Sequence, residues 1–414
     1  MNRASTENQI GEPSLTVATD ASPRAVNGVV LAIVLTGFVA STYGFGVYLF
    51  ANLVVDMRRD IGFGYTTVGF ITGGAQIGFL GFSCLAGYIS RFVAGWKISL
   101  YSTLITSMAL LGLSISDSIW LSASLLILLG GCSASAYVPL AEIVATRFPA
   151  STRARVMGLI SSGTSYGVFI NGLLVSLLTL HGGWRVIWLI AGLISIVLCG
   201  AGWYLLRHWP DTLDRPAVPS GDVNAPGWLS APVYLTWLVA FLNGLTLLPF
   251  QTYLAPFMRE ELSRSVATTG LVWSTIGGVG MAAGFLVGWI ADRWGSRRAL
   301  MLCFASACLA SLCVYGLDSD SGFYLAGFLF ALAFYPVFGL VPTYLGQVVP
   351  LACLTRAFGV ANVLIGLGGV LGNFLGGACK EQLGSFAPLY LCIAGLLLVQ
   401  LMVVGLLPDR KSVG

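Results

Sequence analysis

From residue 27 to residue 407 this chain is a succession of long apolar runs separated by short turns. A helix needs about twenty mostly apolar residues to cross the hydrocarbon core of a bilayer. Twelve stretches meet that requirement: 27–52, 66–89, 97–115, 119–143, 154–180, 184–207, 229–257, 268–290, 298–315, 321–346, 356–379 and 384–407. No soluble domain is built this way. Of the 414 residues 57% are hydrophobic and 9% charged, against roughly 25% charged in an ordinary soluble domain. Lipid offers the backbone no hydrogen bonds, so each span must satisfy its own, and this pattern specifies helices. The expected class is an all-α membrane protein.

Charge sets the orientation. Lys and Arg accumulate on the cytoplasmic side of membrane proteins. With both termini inside, the inner side holds fifteen of them and the outer side six, namely Arg58, Arg59, Arg185, Arg259, Arg264 and Lys380. The expected location is a bacterial inner (plasma) membrane, with both termini cytosolic. Residues 1–26 are polar and carry Glu7, Glu12 and Asp20. They lack the basic start and apolar core of a signal peptide and read as a disordered cytosolic tail. The stretch 208–228, with Pro210, Pro216, Pro219 and Pro226, reads as a cytosolic linker, and 409–414 as a second short tail. The linker divides the chain into six-span units at 27–207 and 229–408.

Several functions are excluded at this stage. A net charge of +4, scattered over short turns, gives no nucleic-acid surface. Nine cysteines are dispersed without a CxxC pair and read as small packing residues. The two histidines, His181 and His208, fall at or beyond span ends. No Walker-type loop is present. No catalytic set, metal or cofactor is expected, and the chain does not read as an enzyme.

The spans are duplicated. Gly87-Tyr88-Ile89-Ser90-Arg91 returns 201 positions later in Gly288-Trp289-Ile290-Ala291-Asp292, which continues Arg293-Trp294-Gly295-Ser296-Arg297-Arg298. At the same offset Asp117 matches Asp318, Pro149 matches Pro350, Arg155 matches Arg356 and Gly158 matches Gly359. Six spans is an even number, so both copies start on the same side. They are parallel repeats about an axis along the membrane normal, a design that permits rocking around a site between the halves.

The stretch Gly288 to Arg298 resembles the loop motif of the major facilitator superfamily: Gly, a short spacer, Ala-Asp-Arg, a second Gly, then paired basics. Both copies fall after spans two and eight, where that family carries them. Tyr43-Gly44-Phe45-Gly46, Met57 to Gly62 and Tyr65 to Gly69 resemble the bacterial YbfB/YjiJ-like branch, and Gly183-Trp184-Arg185 with Trp188 is familiar across the superfamily. The resemblance implies twelve transmembrane helices in two pseudo-symmetric six-helix bundles, and alternating access for a small organic metabolite. It also implies that Asp292 faces the start of span five, near Arg153 and Arg155. Two departures stand out. Arg91 occupies the place of the motif's Asp in the first half. Span five reads Gly158, Gly163, Gly167, Gly172 without the Gly-Pro signature of drug/proton antiporters.

The expected cytosolic gate is therefore Arg91, Glu142, Arg147, Arg153, Arg155, Asp292, Arg293, Arg297 and Arg298, with Glu142 paired to Arg91 or Arg147. Polar groups at membrane depth normally face a cavity or the bundle interior. The expected substrate path draws on Tyr43, Gln76, Tyr137, Tyr166, Asn171, Asn243, Gln251, Tyr335, Asn362 and Asn373. Close packing with amides bonded across helices is the alternative for any one of them. No Lys or Arg lies at mid-span, which favours a neutral, zwitterionic or weakly charged solute. The expected partners are that solute, a coupling proton if one is used, and the lipid bilayer, with the monomer as working unit. A drug or metabolite efflux antiporter and a non-transporting, transporter-like receptor are the competing readings.

Overall fold

A computed structural model describes residues 28–207 and 228–408. The 1–26 and 409–414 tails and all of the 208–228 linker but Trp228 lie outside the described residues. Among the described residues twelve long helical segments follow one another. The first half contains α1 (Gly28–Ile61), α2 (Tyr65–Ile89), α3 (Gly95–Ser114), α4 (Ile119–Arg147), α5 (Arg155–Leu178) and α6 (Gly183–Leu206). The second contains α7 (Ala231–Glu261), α8 (Val266–Trp294), α9 (Ser296–Gly316), α10 (Asp320–Val348), α11 (Cys353–Leu383) and α12 (Ala387–Gly405).

Eleven of these are long and apolar enough to cross a membrane. The exception, α3, is rich in Ser and Thr, and its hydroxyl-bearing face is covered by protein while Tyr101, Ile105 and Met108 are exposed on the other. The hydroxyls of Thr103 and Ser107 bond back to carbonyls one turn earlier, at 2.9 and 2.8 Å, and Ser99 donates to the Ala136 carbonyl of α4 at 2.5 Å. A hydroxyl bonded to its own helix adds little polar cost, so burial against neighbours replaces apolarity.

Most helices run past the apolar cores from which the sequence marks them. The charged stretch Gly288–Arg298 is not a loop: α8 continues to Trp294, Gly295 alone turns the chain at φ 93°, and α9 begins at Ser296. Likewise Arg58, Arg59 and Arg259 lie in terminal helical turns rather than in connections. Apolar runs report where lipid is, whereas backbone hydrogen bonding continues until a capping residue stops it.

Four helices are irregular, α5 among them through a break at Ser162. A π-helical stretch, Ala40–Tyr48, interrupts α1, and a second, Phe257–Glu261, follows Pro256 in α7. The break in α4 falls at Val138–Pro139. Proline removes a helical donor and clashes with the preceding turn, which accounts for the last two.

The halves repeat one plan. In the first, α1 meets α5 where Gly44 and Gly167 touch through their backbones, α2 meets α4 at Gly130 and Ala75, and α3 meets α6 at Leu111 and Gly192. In the second, Gly244 of α7 lies on Ile365 and Gly369 of α11, and Gly327 of α10 lies on Val272 of α8. Ser311 of α9 donates to the Tyr390 carbonyl of α12 at 2.7 Å.

The halves meet along two seams, α2 on α11 and α5 on α8, and these seams are copies of each other. Gly69 packs on the Asn373 backbone, and Gly270 packs on that of Gly172. Tyr65 meets Gly377, and Val370 meets Gly73, as Phe169 meets Ser274. Gly69 and Gly270, Gly172 and Asn373, Gly73 and Ser274, and Phe169 and Val370 all stand 201 positions apart. The duplication therefore governs the joint between the bundles as well as the bundles themselves.

Candidate functional site

One end of the molecule is shut. Asp56 on α1 receives two hydrogen bonds from Arg259 on α7, both 2.6 Å, in a bidentate pair with Arg259 6% exposed. Arg58 donates to Glu260 at 2.8 Å, and its guanidinium lies 4.6 Å from the Tyr65 ring centre. Arg58 and Arg259 are repeat partners, 201 apart, and each reaches into the opposite half. On the α2–α11 seam, Glu381 accepts from the Thr66 backbone N–H at 2.8 Å and from its hydroxyl.

The adjacent acids Asp60 and Glu261, also 201 apart, stay within their own halves. Asp60 accepts from Trp184 Nε1 at 3.1 Å and from Arg185, which also holds Asp117 at 2.5 Å. Glu261 accepts from Phe386 N, Ser385 Oγ and Lys380 Nζ, each at 2.7 Å. Each carboxylate thus sits at the N-terminal end of its bundle's last helix, where the helix dipole favours a negative charge.

None of these acids was expected from hydropathy and composition. The visible signal was the run Asp56-Met57-Arg58-Arg59-Asp60 and, at the repeat offset of 201, Phe257-Met258-Arg259-Glu260-Glu261.

Below this closed end lies a small cavity of ≈ 40 Å³, walled by α1, α2, α4, α7 and α11. Three of the expected path residues meet there: Gln76 from α2, Gln251 from α7 and Asn373 from α11. Thr72, Thr252 and Tyr48 share the wall, and no carboxylate, ammonium, guanidinium or imidazole does. Asn373 is 2% exposed and its side-chain oxygen has no hydrogen-bond partner.

The other expected path residues scatter. Tyr43 makes edge contacts with Phe79 and Tyr137, and the Tyr137 hydroxyl bonds Ser161 at 2.8 Å. Tyr335 stands at the α5–α8 seam against Gly280 and edge-on to Phe334. Asn171 points into its own bundle and donates to the Gly44 carbonyl at 2.6 Å, tying α5 to α1. Asn243 is buried with both amide atoms unpartnered and does not line the cavity. Tyr166 is exposed and Asn362 half-buried.

At the opposite end the bundles part. Gly277, Gly280, Gly284 and Gly288 form one stripe on α8, spaced by three and four residues. A methyl group built on Gly277 would stand 2.3 Å from Phe169 N on α5, yet Gly284 and Gly288 have nothing within 4 Å. The residues expected to form a gate lie around this opening. Asp292 is exposed and makes no ion pair with a described residue. Arg91 lies over Tyr88 at 5.8 Å, and Arg293 over Trp289 at 5.6 Å. Arg153 donates to the Phe148 carbonyl at 2.9 Å, and Arg155 is exposed. Arg297 donates to the Gly405 carbonyl at 2.5 Å, while Arg147 and Arg298 are exposed.

Glu142 departs from its expected pairing with Arg91 or Arg147. Its carboxylate lies against Gly95, where a methyl group would stand 3.2 Å from Oε2. The positive end of α3 takes the place of a cationic partner.

Twelve helices in two repeated bundles, sealed at one end and open at the other around an uncharged cavity, define a membrane transporter fold. A family model for the Major Facilitator Superfamily matches residues 34–373, and again 236–413. The chain belongs to that superfamily. It is similar to the gallate transporter of Pseudomonas putida, 24% identical over 88% of each chain. It is also similar to the multi-drug resistance efflux pump PmrA of Streptococcus pneumoniae, 27% identical over 62% of this chain and 66% of that one. The fold matches a bacterial homolog of the human lysosomal transporter Spinster, solved inward-facing and unoccupied, with a TM-score of 0.69 at 16% identity over 92% and 94% of the two chains. The protein is a multi-pass small-molecule transporter, and not an enzyme.

Proposed function

We propose that the chain is a secondary transporter that exposes the central cavity alternately to the two sides of a bacterial inner membrane, and that this structure is its inward-open form. The positive-inside distribution supports placing the Asp292 end and both termini in the cytosol. The Asp56–Arg259 end then faces outward and forms the outer gate, with the monomer as transport unit. The observation that carries the reading is the pair of copied seams. They are tight from the outer surface to Gly280 on Ser165 and to Gly366 on Leu80, and beyond these Gly284 and Gly288 meet nothing within 4 Å, the asymmetry of a rocking machine stopped at one extreme.

The α5–α8 seam also indicates the opposite extreme. Its antiparallel register sets Gly270 on Ser176, Ser274 on Gly172 and Gly277 on Phe169. Continued down both helices at the same pace, it brings Gly284 to Ser162, Gly288 to Gly158 and Asp292 to Ala154, between Arg153 and Arg155. The repeat copy of this approach brings Arg91 beside Thr355 and Arg356, where two cations meet. The inner latch is thus carried on one seam, by Asp292.

No carboxylate lines the cavity, so a coupling proton would be carried at Glu142 or Asp292. The deciding experiment is counterflow in proteoliposomes for solutes that shift the melting temperature, with and without an imposed pH gradient. Saturable counterflow is expected, and pH-driven accumulation would establish proton coupling. Binding without flux under every gradient would favour the receptor reading instead. The similarity to an efflux pump keeps export open as the direction of net transport.

A further inference from the structure

We infer that the duplicated frame carries a single, off-axis recognition site on the α2–α11 side, and that it selects an uncharged solute bearing both hydrogen-bond donors and acceptors. This rests on the transporter reading above. A parallel duplication offers two equivalent cavities, one beside each seam. The amides break that equivalence. At the repeat offset of 201, Gln76 corresponds to Gly277, Asn373 to Gly172, Gln251 to Phe50 and Thr72 to Trp273.

Phe50 shares the cavity wall with Gln251, whereas on the α5–α8 side the other three replacements fill space or close it. Gly277 is pressed on the Phe169 backbone, with room of 2.3 Å for a methyl carbon, and Gly172 is pressed equally on the Gly270 carbonyl. Trp273 is 1% exposed, a large buried side chain at the position where the other half has Thr72 on the cavity wall. On the α2–α11 side the wall is polar instead. Gln76, Gln251 and Asn373 reach the cavity from both halves, and none of the three side-chain amides has a hydrogen-bond partner among the described residues.

The chemistry follows from that inventory. Each amide offers two donors and an acceptor. Asn373 lines the cavity, and its side-chain oxygen is buried and unpaired. A buried polar group left without a partner is costly, so a ligand that satisfies it gains specificity over one that does not. An anion would enter a wall without any counter-charge and lose its hydration uncompensated. A neutral ligand with hydroxyl, ester or amide groups meets every requirement. A solute bound across α2, α7 and α11 also touches both halves, so its release is coupled to their separation.

The test uses purified full-length protein and matched probe pairs that differ in charge: methyl gallate with gallate, glucose with glucuronate, and benzamide with benzoate. Binding is read by thermal shift and calorimetry, and needs no transport. The uncharged member of at least one pair is expected to bind more tightly. Gln76→Leu and Asn373→Ala are expected to weaken that binding about fivefold or more each while keeping the ligand-free melting temperature. Tighter binding of the anionic members, binding unchanged in both variants, or no binding by any probe would each overturn the inference. Counterflow of the same probes separates the two claims: binding that depends on the amides without flux leaves the site standing and removes the transporter reading.

Discussion

Arg259 is 6% exposed and Asp56 19%, so their bidentate pair at the outer gate is largely withdrawn from solvent. Removing one partner of such a pair strands the other charge, at a cost of at most about 3–5 kcal/mol to the closed gate. Asp56→Ala and Arg259→Ala are each expected to open the outer end. Amide hydrogen exchange at residues 56–66 and 257–266 should rise in both, and the charge-swapped double variant should restore protection. Unchanged exchange in the single variants would show that glycine packing alone keeps the gate shut. The basic members of this gate were legible only as outer-side charge, because hydropathy treats Arg58, Arg59 and Arg259 as markers of a membrane boundary. Their acidic partners lie two hundred residues away in the chain, and only the joint between the bundles brings them together.

Among the helices, the glycine stripe on α8 is the element that allows both states. Gly277 already touches α5, while Gly284 and Gly288 stand open on the same face. Gly277→Val should therefore disfavour the inward-open form, and Gly284→Leu should trap it by obstructing closure of the cytosolic end. Spin-label distances across the two ends are expected to move in opposite directions in the two variants, and transport should fall in both. Similar distance changes in the two would contradict the register argued for the α5–α8 seam. Helix number and order were legible from apolar runs, since lipid imposes a length on each span. Helix ends were not, because Asp56 to Asp60 and Asp292 to Trp294 remain helical after the apolar signal has ended. The π-helical stretch in α1, where Gly44 packs against Gly167 of α5, was also invisible in the hydropathy.

For the whole molecule, alternating access requires each end to have its own latch. The outer one is formed here, and the inner one is expected to rely on Asp292. Asp292→Asn should insert and fold normally and retain solute binding from the cytosolic side, yet lose most of its transport rate. Arg91→Asp, which restores the missing acid at the copied position beside Arg356, should stabilise the inward-closed form. Proteoliposome flux and cytosolic-side labelling check both, and wild-type flux by Asp292→Asn would remove the one-sided latch. Sequence alone determined the class of molecule, the number of spans, the parallel duplication and the asymmetry between Asp292 and Arg91, because bilayer thickness, positive-inside bias and a constant offset act along the chain. Only the tertiary structure decided which of ten polar candidates share a cavity, that Asn171 instead ties two helices together, and that the closed end is held by Asp56, Arg259, Arg58 and Glu260. Those outcomes depend on helix rotation and on the approach of two bundles, which no local pattern of hydropathy encodes.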